Sequence, residues 1–351
     1  MRFLLTSILL ALLPLRAADP APLRLGIIGL DTSHVIAFTK TFNDPTAPNH
    51  VPGGKVVAAF KGGSPDIESS ASRVDGYTKE LVEKYGVKIY ATIAELSANV
   101  DAILIESVDG RPHLEQFRQT LAAKKPVFID KPLAGSLKDA VEIVRLAREH
   151  NIPIFSSSSL RYPPETFASK FAKIGDITSV YSIGPAEFEP HHPDFFWYGI
   201  HCVEALYTVL GPGCVSVQRT RAANTDIITG VWADGRVGIA QGNRKTFKGY
   251  GVTAVGTKGV ATAGEKQNYY GLTAEIMKFL QTRISPVAPE TTLELIAFME
   301  AADESKRRGG ALVTLAEVLK KAGAKYSPRH LPVRHQRTPP PPPPAISRRS
   351  E

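Results

Sequence analysis

The sequence predicts an α/β first domain, a doubly wound parallel sheet, joined to an α+β second domain with an open, mainly antiparallel sheet. Three observations predict it. An apolar run over residues 23–30 breaks at Gly29 and leads into a helical period beginning near His34 and Val35. From there to Ser156, short apolar runs alternate with helical periods across short connections, as βαβ units require. Beyond that point strand-like runs follow one another with turn signals such as Asp234-Gly235, which suits an antiparallel sheet.

Taken in order, residues 23–28 form a buried strand and 35–42 the first helix, with a Pro- and Asn-rich loop over 43–50. Residues 55–60 are a second strand, closed by Lys61-Gly-Gly-Ser-Pro65. Residues 79–85 give a short amphipathic helix stopped by Gly86. A brief strand at 89–91 precedes a helix from Thr92, where Glu95 completes a capping box. Strands at 101–106 and 125–130 flank a helix over 111–123, Ser136 opens a long helix to His150, and 152–156 is the last strand of this unit. The second domain has strands over 180–183, 215–220, 226–233, 237–241 and 250–255, then helices over 272–282, 291–307 and 311–322. Residues 19–156 thus form the first domain and 157–328 the second, whose last helices can pack back on the first.

The chain has 351 residues, 43% of them hydrophobic and 22% charged, enough for two ordinary cores. Its formal charge of +8 is concentrated at the ends: Arg2 and Arg16 carry +2 and residues 329–351 a net +4, leaving +2 for the body. That gives no support for nucleic acid as a partner, which needs a concentrated basic face. Met1-Arg2, an apolar stretch over 3–15 and the small residues Ala17 and Ala18 read as a cleavable export signal over residues 1–18. The stretch is too short to span a bilayer, so the expected product is periplasmic or secreted, with no membrane span after cleavage. Residues 329–351, with prolines at 339–344 between arginines, read as an extended, disordered tail. The two cysteines, Cys202 and Cys214, flank a helix whose rise of ~1.5 Å per residue separates them by roughly 12 Å. A disulfide needs Cα atoms within about 7 Å, so two free, buried thiols are expected.

Ligands of doubly wound sheets sit at the C-terminal strand ends. That rule gathers residues 29–34, 61–64, 107–113 and 130–132 around one crevice. The first turn begins like a dinucleotide fingerprint, but counting from Gly29 its second and third glycine positions hold Asp31 and His34. The Asp31 carboxylate would repel a pyrophosphate unless it caps the next helix or bonds Thr32 and Ser33. The Thr32 and Ser33 hydroxyls and the helix amides remain available to phosphate. After the second strand the usual acidic residue for the adenosine ribose is missing. Lys61 and Ser64 stand there, which favours a 2′-phosphate, and so NADP over NAD.

Asp130-Lys131-Pro132, the turn at Gly29 and the later Gly199-Ile-His201 occur together in an order that resembles the Gfo/Idh/MocA oxidoreductases, relatives of glucose–fructose oxidoreductase and inositol dehydrogenase. The resemblance covers roughly residues 23–321. It implies a Rossmann-like nucleotide-binding domain, a tightly bound NADP or NAD, and a small hydroxylated substrate. The family's E-K-P appears here as D-K-P, placing its lysine at Lys131, and its catalytic histidine matches His201. Asp109-Gly-Arg-Pro-His113 matches the loop ahead of the nicotinamide, which implies cofactor roles for Asp109 and His113, with Gly29, Asp31, Thr32, Ser33, His34, Lys61, Ser64 and Lys131 completing that set.

Oxidising a secondary alcohol needs a base for the hydroxyl proton and a cation for the developing alkoxide. His201 suits the first role and Lys131 the second, with a proton relay available if burial lowers the lysine pKa. Where many relatives carry aspartate, four residues before His201, this chain has Trp197. Asp194 or Tyr198 is then expected to partner the histidine, and Trp197 to stack on a sugar ring. His191, His192, Asp194, His201 and Glu204 also have spacings that could coordinate a divalent metal, but such spacings are common by chance and no metal is expected. The leading expectation is an exported NAD(P)-dependent oxidoreductase acting on a sugar, polyol or related hydroxy compound, with homo-oligomerisation through the second sheet as an option. The alternative is a non-enzymatic sugar-binding protein that kept the fold and lost the cofactor. Asp31, Trp197 and a leader without an Arg-Arg pair point that way. Hydrolysis or elimination through transient oxidation would need the same Lys131 and His201.

Overall fold

The computed structural model describes residues 21–162, 170–245, 248–264 and 268–324. The export signal and the proline-rich tail lie outside the described residues. The first domain is a six-stranded parallel sheet in the order β3-β2-β1-β4-β5-β6, built from β1 (Leu23–Ile28), β2 (Gly54–Phe60), β3 (Lys88–Ile89), β4 (Ala102–Ile105), β5 (Val127–Ile129) and β6 (Ile154–Phe155). Successive residues of a strand face opposite sides. Ile28, Ile105 and Ile129 therefore enter the core beneath α4 (Ile93–Ala98), α5 (His113–Thr120) and α6 (Leu137–Glu149). Ile27, Leu104 and Phe128 enter the core beneath α1 (Ser33–Asn43).

The helices of this domain start and stop for local reasons. Thr92 Oγ1 accepts from the Glu95 amide at 3.1 Å, the expected cap of α4, and Ser136 caps α6 in the same way. The helix expected over 79–85 is α3 (Val74–Tyr85), preceded by the short α2 (Glu68–Ala71). Its earlier start accommodates Gly76, which has open space around it, so the helix carries only the ordinary glycine penalty of ~1 kcal/mol. α5 begins at His113, two residues later than expected, because Pro112 occupies the N-cap.

The second domain is a seven-stranded sheet in the order β12-β11-β7-β10-β9-β8-β13. Its strands are β7 (Ile177–Pro185), β8 (Cys214–Arg221), β9 (Thr225–Trp232), β10 (Val237–Asn243), β11 (Gly251–Gly256), β12 (Gly259–Ala263) and β13 (Val313–Thr314). The hairpin order predicted from sequence holds for β8, β9 and β10. β10 then pairs in parallel with β7, which makes the sheet mixed but mainly antiparallel. One face is covered by α7 (Ile200–Leu210) and α9 (Pro289–Arg307). The opposite face leaves Ile227, Val231, Val255 and Val260 exposed. Between these helices in sequence, α8 (Tyr270–Thr282) packs on the first sheet, placing Leu272, Ile276 and Phe279 in one core with Leu25, Ile27 and Phe38. The helix expected over 311–322 is shortened to α10 (Leu315–Lys321), because residues 313–314 pair with β8 first and Thr314 then caps the helix.

Cys202 and Cys214 are free and buried, and burial pushes the Cys202 thiol up to about 12, so neither is an accessible nucleophile.

Candidate active site

The C-terminal edge of the first sheet sets the site. Ile28, Ile105 and Ile129 pair in one register, so Gly29, Glu106 and Asp130 follow in a row across that edge. Gly29 adopts φ +89°, and a Cβ there would lie 2.6 Å from the Ser107 backbone nitrogen, so only glycine lets β1 pass this close to the loop after β4. Asp31 does not cap α1. Thr32 takes that role, its hydroxyl accepting from the His34 amide at 3.4 Å. The Asp31 carboxylate is fully buried and accepts from Ser70 Oγ at 2.6 Å and from the Val108 amide at 2.9 Å. It thereby stitches α2 to the loop after β4. Burial pushes its pKa up, against those hydrogen bonds. Ser33, at the first turn of α1, is exposed.

At the other end of the row, Asp130 is surrounded by groups of its own chain. Its Oδ2 lies 2.5 Å from His34 Nδ1, and its Oδ1 accepts from the Lys131 amide at 2.8 Å. Burial raises its pKa, but the nearby His34 and Lys131 outweigh that and leave it below the usual carboxylate value. His34 stacks on Phe38 and meets the edge of Tyr269, so its ring is held on three sides. The Lys131 ammonium sits 5.3 Å from the Tyr198 ring centre, and burial lowers its pKa against the attraction of Asp130.

The second domain closes over this edge. α7 begins at Ile200 because the preceding Gly199 packs against Phe195, leaving no room for a Cβ. That start turns His201 into the interior. Its Nδ1 is 2.8 Å from Ser158 Oγ, which fixes the ring, while Tyr198 and Tyr250 flank it. Burial, and then the Lys131 charge, push the His201 pKa well below its usual value, so the imidazole is neutral at pH 7. Glu204, one helical turn on, accepts from Ser157 Oγ at 3.1 Å and pairs with Arg161. Lys131, Tyr198 and His201 are therefore brought together, with Ser158 and Tyr250, which the sequence did not single out.

Several expected site residues are employed elsewhere. Asp194 does not partner His201. It pairs with Arg219 at 2.8 Å, Arg244 at 2.8 Å and Lys306 at 2.7 Å, and these cations, outweighing burial, hold it down at about 2. Trp197 packs in an apolar cluster with Ile67 and Val108 instead of offering a face to a sugar. His113 is fully buried, with Nε2 2.9 Å from the Ser107 carbonyl and Nδ1 3.0 Å from that of Pro132, so it clamps two loops and faces no ligand. Asp109 and Ser64 bond each other at 2.6 Å, and Asp109 also holds Arg111. Ser64 is bonded to Asp109, and Lys61 is exposed and paired to Asp75 at 3.0 Å, so each would give up that partner to meet a 2′-phosphate. Among the described residues no group of His, Cys, Asp and Glu is arranged to hold a metal ion.

His192 adds a hydrogen-bonded contact between the domains. Its Nε2 accepts from the Gly110 amide at 3.3 Å and its Nδ1 donates to the Pro193 carbonyl at 3.1 Å, which requires the neutral ring. Burial lowers its pKa from 6.5 to about 4. Below pH 6.5 the unfolded chain therefore binds a proton that the folded one refuses, and stability falls as the pH drops to about 4. The His192 share of the loss is ~3 kcal/mol over that window, measured by urea unfolding at stepped pH. His192→Gln should flatten that part of the profile; an unchanged slope would exclude His192 as its source.

Residues 23–157 match the family model described as "Oxidoreductase family, NAD-binding Rossmann fold". The uncharacterized oxidoreductase YrbE of Bacillus subtilis (strain 168) is 23% identical over 218 residues, covering 55% of this chain and 63% of that protein's length. Among solved structures, scyllo-inositol dehydrogenase from Lactobacillus casei with bound NAD(H) and scyllo-inositol superposes with a TM-score of 0.67 at 17% identity, over 84% of this chain and 99% of that one. Myo-inositol 2-dehydrogenase from Lactobacillus plantarum gives a TM-score of 0.68 at 19% identity, over 84% and 99%.

Proposed function

From the premise that residues 23–157 belong to the Gfo/Idh/MocA oxidoreductases, we propose that the chain is an NAD(H)-dependent dehydrogenase of a polyol or sugar, with Lys131 and His201 at the reacting hydroxyl. The observation that carries the reading is the convergence of Lys131, Tyr198 and His201 at the C-terminal edge of the first sheet, where such folds bind ligands. The first turn also fits a dinucleotide. The Asp31 charge is turned into the protein and bonded, while exposed Ser33 and the first amides of α1 face outward, where they would hold a pyrophosphate. When bound, the nicotinamide supplies the hydride acceptor for the carbinol carbon.

The chain's own groups divide the remaining work. Lys131, with its lowered pKa, takes the hydroxyl proton and then, as an ammonium, stabilises the oxygen that loses it. His201, held neutral and oriented by Ser158, hydrogen-bonds the same hydroxyl and fixes its direction. This exchanges the roles that sequence alone suggested, because a histidine pushed so far down is a poor base at neutral pH. Tyr198 and Tyr250 supply an apolar wall around both groups.

The apolar leader supports an exported protein, whose cofactor would have to be retained tightly, since no nicotinamide pool exists outside the cytoplasm. The open apolar face of the second sheet supports association of two copies. The test is direct. The purified protein should bind NADH in a calorimetric titration and reduce NAD when offered inositols and aldoses. A protein that neither carries nor binds a nicotinamide nucleotide, yet binds a polyol, would replace this reading with the non-enzymatic one.

A further inference from the structure

Among the described residues, Glu106 is a fully buried carboxylate neither of whose oxygens has a hydrogen-bond partner. It follows β4 in the sheet-edge row. A buried, unsatisfied carboxylate is costly, so one that persists asks for a ligand or a strain-bearing role. Strand alternation directs it to the same side as Leu104 and Phe128, the side of α1 and Tyr269, and not into the core beneath α5. Its neighbour Asp130 cannot serve the same purpose, because both its oxygens are engaged, with His34 and with the Lys131 amide. Two buried carboxylates thus sit side by side past the strand ends, one spent on the protein and one without a hydrogen-bond partner.

Resting on the dehydrogenase reading, we infer that Glu106 is the acceptor for a vicinal diol on the ligand that enters this edge. A carboxyl has two oxygens in one plane, which match two adjacent hydroxyls. The choice of neutral hydroxyls over a cation follows from the surroundings. Lys131 and His34 already accompany the Asp130 charge, and the described residues form no metal-binding group. Burial, and then the Asp130 charge, push the Glu106 pKa well up, and a carboxyl holding its proton both donates and accepts, as hydroxyls do. The diol belongs either to the ribose beside the nicotinamide or to the polyol substrate, and the two can be separated.

NADH, ADP (which lacks the second ribose) and myo-inositol, the last with and without NADH, would be titrated calorimetrically into wild type, Glu106→Gln and Glu106→Leu. The melting temperature of each protein would be measured without ligand. Removing an unpaired buried carboxyl should raise the ligand-free melting temperature, by about 2–4 °C. If the diol is the ribose, NADH affinity falls about 10-fold or more in Glu106→Leu while ADP affinity holds, and Glu106→Gln, whose amide also donates and accepts, keeps most of it. If it is the substrate's, only inositol affinity falls by that factor. Unchanged affinity for all three ligands in Glu106→Leu, or a lower melting temperature in both variants, would overturn the inference. Failure of wild type to bind NADH would count against the proposed function instead, leaving Glu106 to be decided by the inositol and melting arms.

Discussion

Replacing Lys131 by Met is expected to lower kcat by a factor of about 10²–10⁴ with NADH affinity held within a few-fold. Methionine keeps the length and apolar stem of the side chain, and Lys131 is buried, so the fold should tolerate the exchange. What is lost is the amino group held beside Tyr198 and Asp130, to which the proposed mechanism assigns the hydroxyl proton. Because burial lowers the Lys131 pKa, wild-type kcat should rise with pH through a value below that of an ordinary lysine, and this limb should vanish in Lys131→Met. Steady-state kinetics across pH, with NADH binding measured separately, checks both parts. A Lys131→Met enzyme with wild-type kcat would remove the lysine from the chemistry. If the rate fell but the pH limb survived, the titrating group would lie elsewhere.

The largest expected effect on stability lies away from the crevice. Arg219 on β8 is fully buried, and its guanidinium pairs with Asp226 at 2.9 Å, Asp194 at 2.8 Å and Asp303, and rests on the Phe195 ring. Truncating it to Ala leaves those carboxylates facing one another with only Arg244 and Lys306 as compensation. Breaking a buried ion pair by removing one partner costs about 3–5 kcal/mol, and the urea midpoint should fall accordingly. Asp303 shows how tight the balance is: burial already raises its pKa to about 6 despite the Arg219 charge. Arg219→Lys should recover only part of the loss, since an ammonium cannot reproduce the planar fork. A loss below ~1 kcal/mol in Arg219→Ala would show that the remaining cations suffice. The network also anchors Asp194, three residues ahead of Trp197, so Arg219→Ala should disturb the segment that carries Tyr198 and His201.

Much of the architecture was legible from periodicity. Short apolar runs in a βαβ rhythm, the Thr92–Glu95 cap and the Asp-Gly turn at 234–235 each report a local preference that the tertiary structure keeps. The parallel pairing of β7 with β10 was not legible, because strands so far apart in sequence are joined by packing and not by any turn. β12 escaped notice for another reason: Gly-Val-Ala-Thr-Ala is an exposed edge with little alternation to read. At the site, motif order located Lys131 and His201. What the other polar residues bind could not be read, since Asp109, His113 and Asp194 are taken by partners many residues away. Glu106 did leave a sign, a carboxylate at the end of an otherwise apolar strand, but only burial without a partner gives that sign its meaning.

The contact of Trp197 with Ile67 and Val108 carries a consequence for traffic through the site. These side chains come from different domains, and together with the His192–Gly110 hydrogen bond they tie the loop after β4 to the segment ahead of α7. For a ligand that leaves past this seam, an apolar contact must part and a buried amide must lose its acceptor. Residence time, set by how often the domains separate, then becomes a property distinct from affinity.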